Sequence, residues 1–504
     1  MSNSFFNNDL TPNYFPNQTI DSSQAATDNT VIVAYEGRPT NAVETIMSHV
    51  VADNSSICYR NNNIIFILWI YNNEEIREEL LHDWMVVQLI QAEAEDHQTP
   101  RTQKSRPNAR AVCKAALESI NKVDKNCPIV LSKISFNLFS HYVTTRKTSK
   151  GDYLSKAGYG LIRSALKHLY RMSGEKMGPK FENELSQFMS GLKRTVAKVK
   201  ADSGRSLDEG KKGMKFDVYK KLCEIMFCKD NDDFLFAHTF LTLAWNLLAR
   251  ADNCFIMKVQ HIEFKHDSMM FYFGKTKVNQ TGDGSEQPWH VYANPNTPTI
   301  CPVLALSRYL LANPDVLQSN GKLFPGDNQY GRFMHVFNKA IETNKEVFAT
   351  FGVMPGDMGS HSCRKGAISL VAAGCTISPP IADICLHASW SMGPVKDRYI
   401  HYEKAGDQYV GRCATGVSSL SKQFAASPAY WDFTDQPQCS EKEVDKVIHD
   451  NFARPSKISA NSFNVVRNLF ASICYHYNHL VANLHNKCRL RVSTFFKDIP
   501  DDIL

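Results

Sequence analysis

The stretch GSHSCRKGAISL, residues 359–370, sets His361 and Arg364 three residues apart at the start of an apolar helical run. An imidazole that can trade a proton and a permanently charged guanidinium, one helical turn apart, suit the gripping of a phosphate. They equally suit the start of an ordinary helix, and His168 and Arg171 in KHLYRM repeat the spacing. Their meaning depends on what else stands in order along the chain. NLLARADNCFIMKVQHIEF puts Arg250 at the end of a strongly apolar helix, just ahead of a short β region. FYFGKTKVNQTGDG puts Lys275 and Lys277 on a hairpin with a Gly/Asn-rich turn. HASWSMGPVKDRYIHYEKAGDQYVGR gives Trp390, then Tyr399 nine residues on, with Tyr402 one helical turn later.

Taken singly, each piece has a plain reading. Arg250 suits a helix C-terminal charge, Trp390 a core position, and Lys275 and Lys277 a solvated hairpin. Taken in order, they resemble the tyrosine recombinases, the phage-integrase superfamily, whose Arg…Lys…His-x-x-Arg…His/Trp…Tyr set breaks and rejoins DNA through a tyrosine. SHSCR is similar to that family's second box and KTK to its hairpin lysine. SW followed by RYIHY is similar to its last two members in the Cre-type variant, where Trp replaces the commoner His. The resemblance spans about residues 111–425. The long spacing and the YEKAGDQYVGR stretch also resemble Crypton-type recombinases of eukaryotic mobile elements.

The resemblance implies a catalytic set of Arg250, Lys277, His361, Arg364, Trp390 and Tyr399, with Lys275 and Tyr402 as the neighbouring alternatives. The chemistry fits those residue types. Attack on a phosphodiester builds negative charge on its equatorial oxygens, and forked guanidinium donors match those oxygens better than a lysine does. A phenol of pKa about 10 is mostly protonated at neutral pH, so nearby guanidinium groups and an imidazole that takes its proton would favour attack. The resemblance gives protonation of the leaving 5′-oxygen to Lys277. Trp390 can pack under the site and offer its indole N–H to a phosphate oxygen. The product would be a 3′-phosphotyrosyl link that stores bond energy for rejoining, with no metal, nucleotide or other cofactor. One departure stands out: the family's acidic residue three positions after the first arginine is here Asn253, with Asp252 adjacent.

These residues need elements to position them. Residues 1–30, rich in Asn, Ser, Gln and Thr, are expected to be disordered. Residues 31–100 are expected to form a small acidic module, with a strand over 64–71 followed by a helical stretch. Residues 111–200 read as a bundle of short helices, and the resemblance makes them a core-binding DNA domain. There Leu161, Ala165, Leu166 and Leu169 mark an apolar face, with Arg163, Lys167, His168 and Arg171 around the other side. Residues 201–216 read as a linker, 217–425 as the catalytic domain, and 435–504 as a helical tail. The expected fold is mainly α with a small β-sheet in the catalytic domain, arranged as a two-domain DNA clamp.

Charge is distributed to match. The chain of 504 residues has a net charge of +6, but residues 1–100 carry 3 basic against 14 acidic side chains and residues 101–220 carry 26 against 10. Such clustering points to a polyanion, since Lys and Arg displace counterions from nucleic acid. Arg163, Lys167, Arg171, Lys193 and Arg194 are the candidate DNA contacts, and double-stranded DNA is the expected partner. Four copies are expected on two duplexes, one active site per strand cut. The longest apolar run, NIIFILWIY (63–71), is too short to span a bilayer, so no membrane partner is expected. Fourteen cysteines without CxxC pairs or zinc spacing imply free thiols and no metal site. The start lacks a signal peptide's apolar core, so an intracellular location is expected, the nucleus if the source is eukaryotic. Two other readings share the motifs: a DNA-binding protein derived from a recombinase but unable to cut, and a type IB topoisomerase acting as a monomer.

Overall fold

The computed structural model describes residues 53–97, 108–120, 127–204, 210–229, 231–265, 267–273, 287–318, 321–390, 392, 404–433, 440–452, 459–497, 499 and 503. The chain divides into two units, Met1–Glu209 and Gly210–Leu504. The described part of each is mainly helical, with one small antiparallel sheet in the second.

The first unit holds α1 (Asp53–Tyr71), α2 (Glu74–Leu80), α3 (Asp83–His97), α4 (Ala109–Glu118), α5 (Phe136–Thr145), α6 (Lys156–Met172) and α7 (Pro179–Asp202). The side chains of Asn108, Ser135 and Ser155 accept from the amides of Ala111, Leu138 and Gly158, so each caps the helix that follows it. The strand expected over 64–71 is instead the C-terminal half of α1. Its β-branched composition favours a strand, but Ile64, Ile67 and Ile70 recur at helical spacing and are all buried. Helix α1 lies against α4 and α6, and Asn63 Nδ2 donates to the Ala165 carbonyl at 3.1 Å. Ile67, Met85 and Leu89 share one core with Cys113, Tyr142, Leu166 and Met189. The described part of the acidic stretch is therefore continuous with the basic bundle, its Glu74, Glu75, Glu78 and Glu79 left on the surface.

The second unit begins with α8 (Phe216–Phe227) and α9 (Asp232–Asn246). Every residue from Phe234 to Asn246 is buried, as expected of a helix apolar on all sides. Among its polar members, the Thr239 and Thr242 hydroxyls donate to carbonyls one turn back, while His238 Nδ1 and Asn246 Oδ1 are enclosed without a partner among the described residues. Trp245 donates to the Ala414 carbonyl and stacks on Tyr219 with ring centres 4.0 Å apart. After α10 (Ala251–Phe255) come β1 (Ile262–Lys265), β2 (Ser268–Phe271) and β3 (Trp289–Val291), paired antiparallel in that order with Ile262 opposite Phe271 and Met270 opposite His290.

Then follow α11 (Pro302–Ala312), α12 (Pro314–Gln318), α13 (Gln329–Thr343), α14 (Lys345–Thr350), α15 (Ser360–Ala373), α16 (Ile381–His387) and α17 (Lys404–Ala414). Helix α17 crosses β3 at Gly411, where a Cβ would lie 2.2 Å from the His290 carbonyl oxygen, so only glycine permits the approach.

The C-terminal segment supplies α18 (Glu441–Asp450), α19 (Ala460–Tyr475), α20 (Tyr477–Asn483), α21 (Arg489–Val492) and α22 (Thr494–Lys497). Its Val465, Val466, Leu469 and Phe470 belong to the same core as α9 and α11, and Asn461 donates to the Ile262 carbonyl on β1. The expected tail is thus part of the second unit's body. Among the described residues no helix is long and apolar enough to cross a membrane, and no disulfide joins the described cysteines.

Candidate active site and basic helix faces

Two helix ends of the same design present the site. Helix α9 stops in a motif where the Leu248 amide donates to Trp245 O and the Ala249 amide to Ala244 O. Leu248 occupies the left-handed position at φ 46°, the place glycine usually takes in this C-terminal cap. Leu248 is fully buried, and that packing holds the uncommon backbone conformation. The chain emerges at Arg250, the N-cap residue of α10.

Helix α16 ends in the same way. The Ser389 amide donates to Leu386 O, the Trp390 amide to Cys385 O, and Ser389 sits at φ 50°. Trp390 is thereby carried just past the helix, 40% exposed.

Helix α15 supplies the third part. His361 is exposed in its first turn and Arg364, one turn on, is buried. The Arg364 Nη2 donates to the Ala388 carbonyl at the end of α16, and its guanidinium carbon lies 5.7 Å from the centre of the Trp390 ring. Burial, and then the positive charge of Arg250, push the Arg364 guanidinium down to about 10. The two guanidinium groups are therefore close enough to repel each other. Arg250 is half-buried, and its Nη1 is enclosed without an acceptor among the described residues. Neither arginine forms an ion pair with a described carboxylate. A pair of repelling cations with a buried unsatisfied N–H is an arrangement completed by an anion.

A buried clamp, missed in the sequence, fixes α16. Asp407 on α17 accepts from His387 Nδ1 at 2.5 Å through Oδ1, and from His290 Nδ1 at 2.7 Å and the His290 amide at 2.8 Å through Oδ2. Burial alone would raise the Asp407 carboxyl, but the charge of His387 and the hydrogen bonds from both histidines outweigh it and hold it well below the usual carboxylate range. Because a carboxylate only accepts, both Nδ1 atoms donate, leaving the two buried Nε2 atoms without partners among the described residues. Trp289 Nε1 also donates to the His387 carbonyl at 2.6 Å. The end of α16, from which Ala388 and Trp390 reach Arg364, is thus tied to β3 and α17.

Helix α15 is seated by an extended segment ahead of α8. Met214 N donates to Ser362 O at 2.9 Å, Lys212 N to Asp357 O at 2.9 Å, and Lys365 Nζ to Lys211 O at 2.8 Å. A Cβ on Gly366 would lie 1.8 Å from the Met214 carbonyl oxygen, so the crossing requires glycine.

Arg250, His361, Arg364 and Trp390 thus lie at α10, α15 and the end of α16 of one unit, with Arg364 coupled directly to Arg250 and to Trp390. Lys275 and Lys277 belong to the connection between β2 and β3, and Tyr399 and Tyr402 to the stretch between α16 and α17; all four lie outside the described residues. Asn253 is buried, its amide hydrogen-bonded to the Arg250 carbonyl at 3.1 Å.

In the first unit, α6 buries Tyr159, Ile162, Ala165, Leu166 and Leu169, which centres its apolar face slightly away from Leu161. His168, read as part of the basic side, is buried; burial and then Arg171 lower its pKa. Lys167 is exposed and paired with Glu182, while the Arg171 guanidinium meets His168 Nδ1 at 3.0 Å. Arg163 is half-buried with Nε unsatisfied. Lys193 and Arg194 are exposed on α7 with no ion pair among the described residues.

No family model matches this chain, and no curated protein matches it. Among solved structures it is similar to the FLP recombinase in a Holliday-junction complex, at 16% identity and a TM-score of 0.31, over 62% of this chain and 78% of that one.

Proposed function

We propose that this protein is a DNA strand transferase of the tyrosine recombinase kind. The observation that carries the reading is the coupled pair Arg250 and Arg364, two cations without a described counter-carboxylate, one with a buried empty N–H. In this reading the two guanidinium groups hold the equatorial oxygens of one phosphodiester. Tyr399 attacks phosphorus, so that its O–P bond forms as the P–O5′ bond breaks. The phenol proton passes to His361, and Lys277 protonates the departing 5′-oxygen. Trp390 closes one wall of the site. Rejoining is the reverse, with a 5′-hydroxyl displacing Tyr399, and no metal or nucleotide takes part. Arg163, Lys167, Arg171, Lys193 and Arg194 hold the duplex backbone without reading sequence. Four copies act together on two duplexes, and the Crypton-like kinship and nuclear residence belong to the same proposal.

Asn253 favours a second reading, a recombinase-derived protein that binds DNA and does not cut it. The two are separated by incubating wild type, Tyr399→Phe and Tyr402→Phe with nicked duplexes drawn from a randomised pool and from the flanks of the gene. Protein–DNA adducts are then sought after denaturation, and the modified residue is mapped by mass spectrometry. The strand transferase requires an adduct that Tyr399→Phe abolishes. An adduct lost only in Tyr402→Phe keeps the class and moves the nucleophile. Tight, salt-sensitive binding without adduct in any protein establishes the non-cutting binder.

A further inference from the structure

Arg308, in the middle of α11, is a buried cation without a described counter-ion. It is 2% exposed. Burial pushes its guanidinium down to about 10, so it still carries its charge at neutral pH. Nη2 donates to the Phe227 carbonyl at 3.0 Å, and the guanidinium carbon sits 3.8 Å from the centre of the Phe227 ring. Nε and Nη1 are enclosed and find no acceptor among the described residues. A charge taken out of water with donors unmet is costly unless something supplies the opposite charge. The aromatic face offsets part of that cost, but it leaves two N–H groups empty.

Those groups belong to a residue lining a small cavity of about 10 Å³, bounded also by Lys229, Asp232, Cys488 and Arg489. Helix α9 begins at this wall, with Asn231 spending its side chain on the Phe234 amide. The positive end of the α9 dipole therefore adds to the charge of the wall. Three cations face one carboxylate, and Arg489 already holds that carboxylate, Nη1 to Asp232 Oδ2 at 3.0 Å. What is missing is negative charge. The small volume suits a single compact ion better than a phosphate or an organic acid.

We propose that this cavity binds a monatomic anion of chloride size, held by Arg308 Nε and Nη1 at the start of α9 and closed by Lys229 and Arg489. The ion joins α9 and α11 to the C-terminal α21, so it fastens the C-terminal segment to the body of the unit. It is separate from the Arg250–Arg364 site and does not depend on the reading given to that site.

The test is thermal unfolding of the full chain at constant ionic strength, with gluconate replaced stepwise by chloride, bromide or sulfate. Chloride and bromide are expected to raise the midpoint saturably, and sulfate to give no saturable rise. Arg308→Met should abolish the rise. Lys229→Ala and Arg489→Ala, both at the surface, should each shift half-saturation upward by roughly tenfold, as loss of a charged contact to the ion requires. Equal midpoints in chloride and gluconate for wild type overturn the proposal, as does an undiminished rise in Arg308→Met. If Arg308→Met does not fold, the two surface variants decide, and an unchanged half-saturation in both overturns it.

Discussion

The Arg364 guanidinium carbon lies 5.7 Å from the centre of the Trp390 ring while its Nη2 donates to the neighbouring Ala388 carbonyl. One arginine is thus aimed by the helix end that also presents the tryptophan. Under the proposed function, lysine at this place keeps a positive charge but loses the fork that would serve Ala388 and a phosphate oxygen at once. Arg364→Lys is expected to slow adduct formation on nicked duplex by about 10²–10³-fold, the usual loss for one oxyanion donor, with duplex affinity little changed. Single-turnover trapping beside a binding isotherm measures both.

The backbone that presents Trp390 carries its own prediction. Ser389 is held at φ 50°, where glycine is at ease and a β-branched residue is not. Ser389→Gly should stabilise the second unit by about 0.5–1 kcal/mol, and Ser389→Val should destabilise it by more than that. Denaturant midpoints of the two variants against wild type give the answer. Leu248 has the same backbone conformation, but its side chain is buried core, so glycine there should cost stability.

The helix positions were readable from the sequence because capping residues and helical apolar spacing are local signals. The structure shows such signals at Asn108, Ser135 and Ser155, each capping the helix that follows it, and the helix over 360–373 starts where its histidine and arginine suggested. The run over 64–71 misled because Ile, Phe and Trp side chains suit a buried helix as well as a strand, and tertiary burial decided between them. The Asp407 clamp was hidden for a different reason. Its partners lie 20 and 117 residues away, and the acid in AGDQYVGR looks solvated until α17 is seen to press Gly411 onto β3. The burial of His168 was hidden similarly, since α1 supplies the cover, packing the Tyr59 ring at a tilt of 49° against it with centres 5.1 Å apart. Motif residues separated by long distances were found only through their order.

Asp407 makes stability depend on acid. Its folded carboxyl titrates well below the ordinary value, so the stabilisation is present in full above about pH 4 and fades as pH falls below that. Asp407→Asn keeps the shape, but its amide must turn two hydrogens toward either His387 Nδ1 or the His290 pair, where donors already stand. The variant is expected to lose about 3 kcal/mol at pH 7. Urea titrations from pH 7 down to acid should show the gap between the two proteins closing below about pH 4, as wild type loses the carboxylate. A gap that stays constant through that range would show that the carboxyl is not the acid-sensitive group.

Thiol chemistry should sort the cysteines by the same physics. Burial pushes the Cys223 and Cys254 thiols up to about 12 and the Cys363 thiol well above its ordinary value. Cys375 is exposed, and its pKa is lowered by the Ile377 amide at 3.4 Å and then by the Ser419 hydroxyl at 3.5 Å. Since the thiolate is the nucleophile, a folded sample at neutral pH should be alkylated at Cys375 ahead of the other described cysteines, with the three core thiols labelled only after denaturation. Peptide mapping after a short pulse of iodoacetamide reads the order. Cys254 and Cys363 both lie against the arginine site, Cys254 feeling the charge of Arg364 and Cys363 following His361 by two residues. Labelling of either under native conditions would therefore mean that the packing around Arg364 opens, and the rigid aim of Arg364 would have to be given up with it.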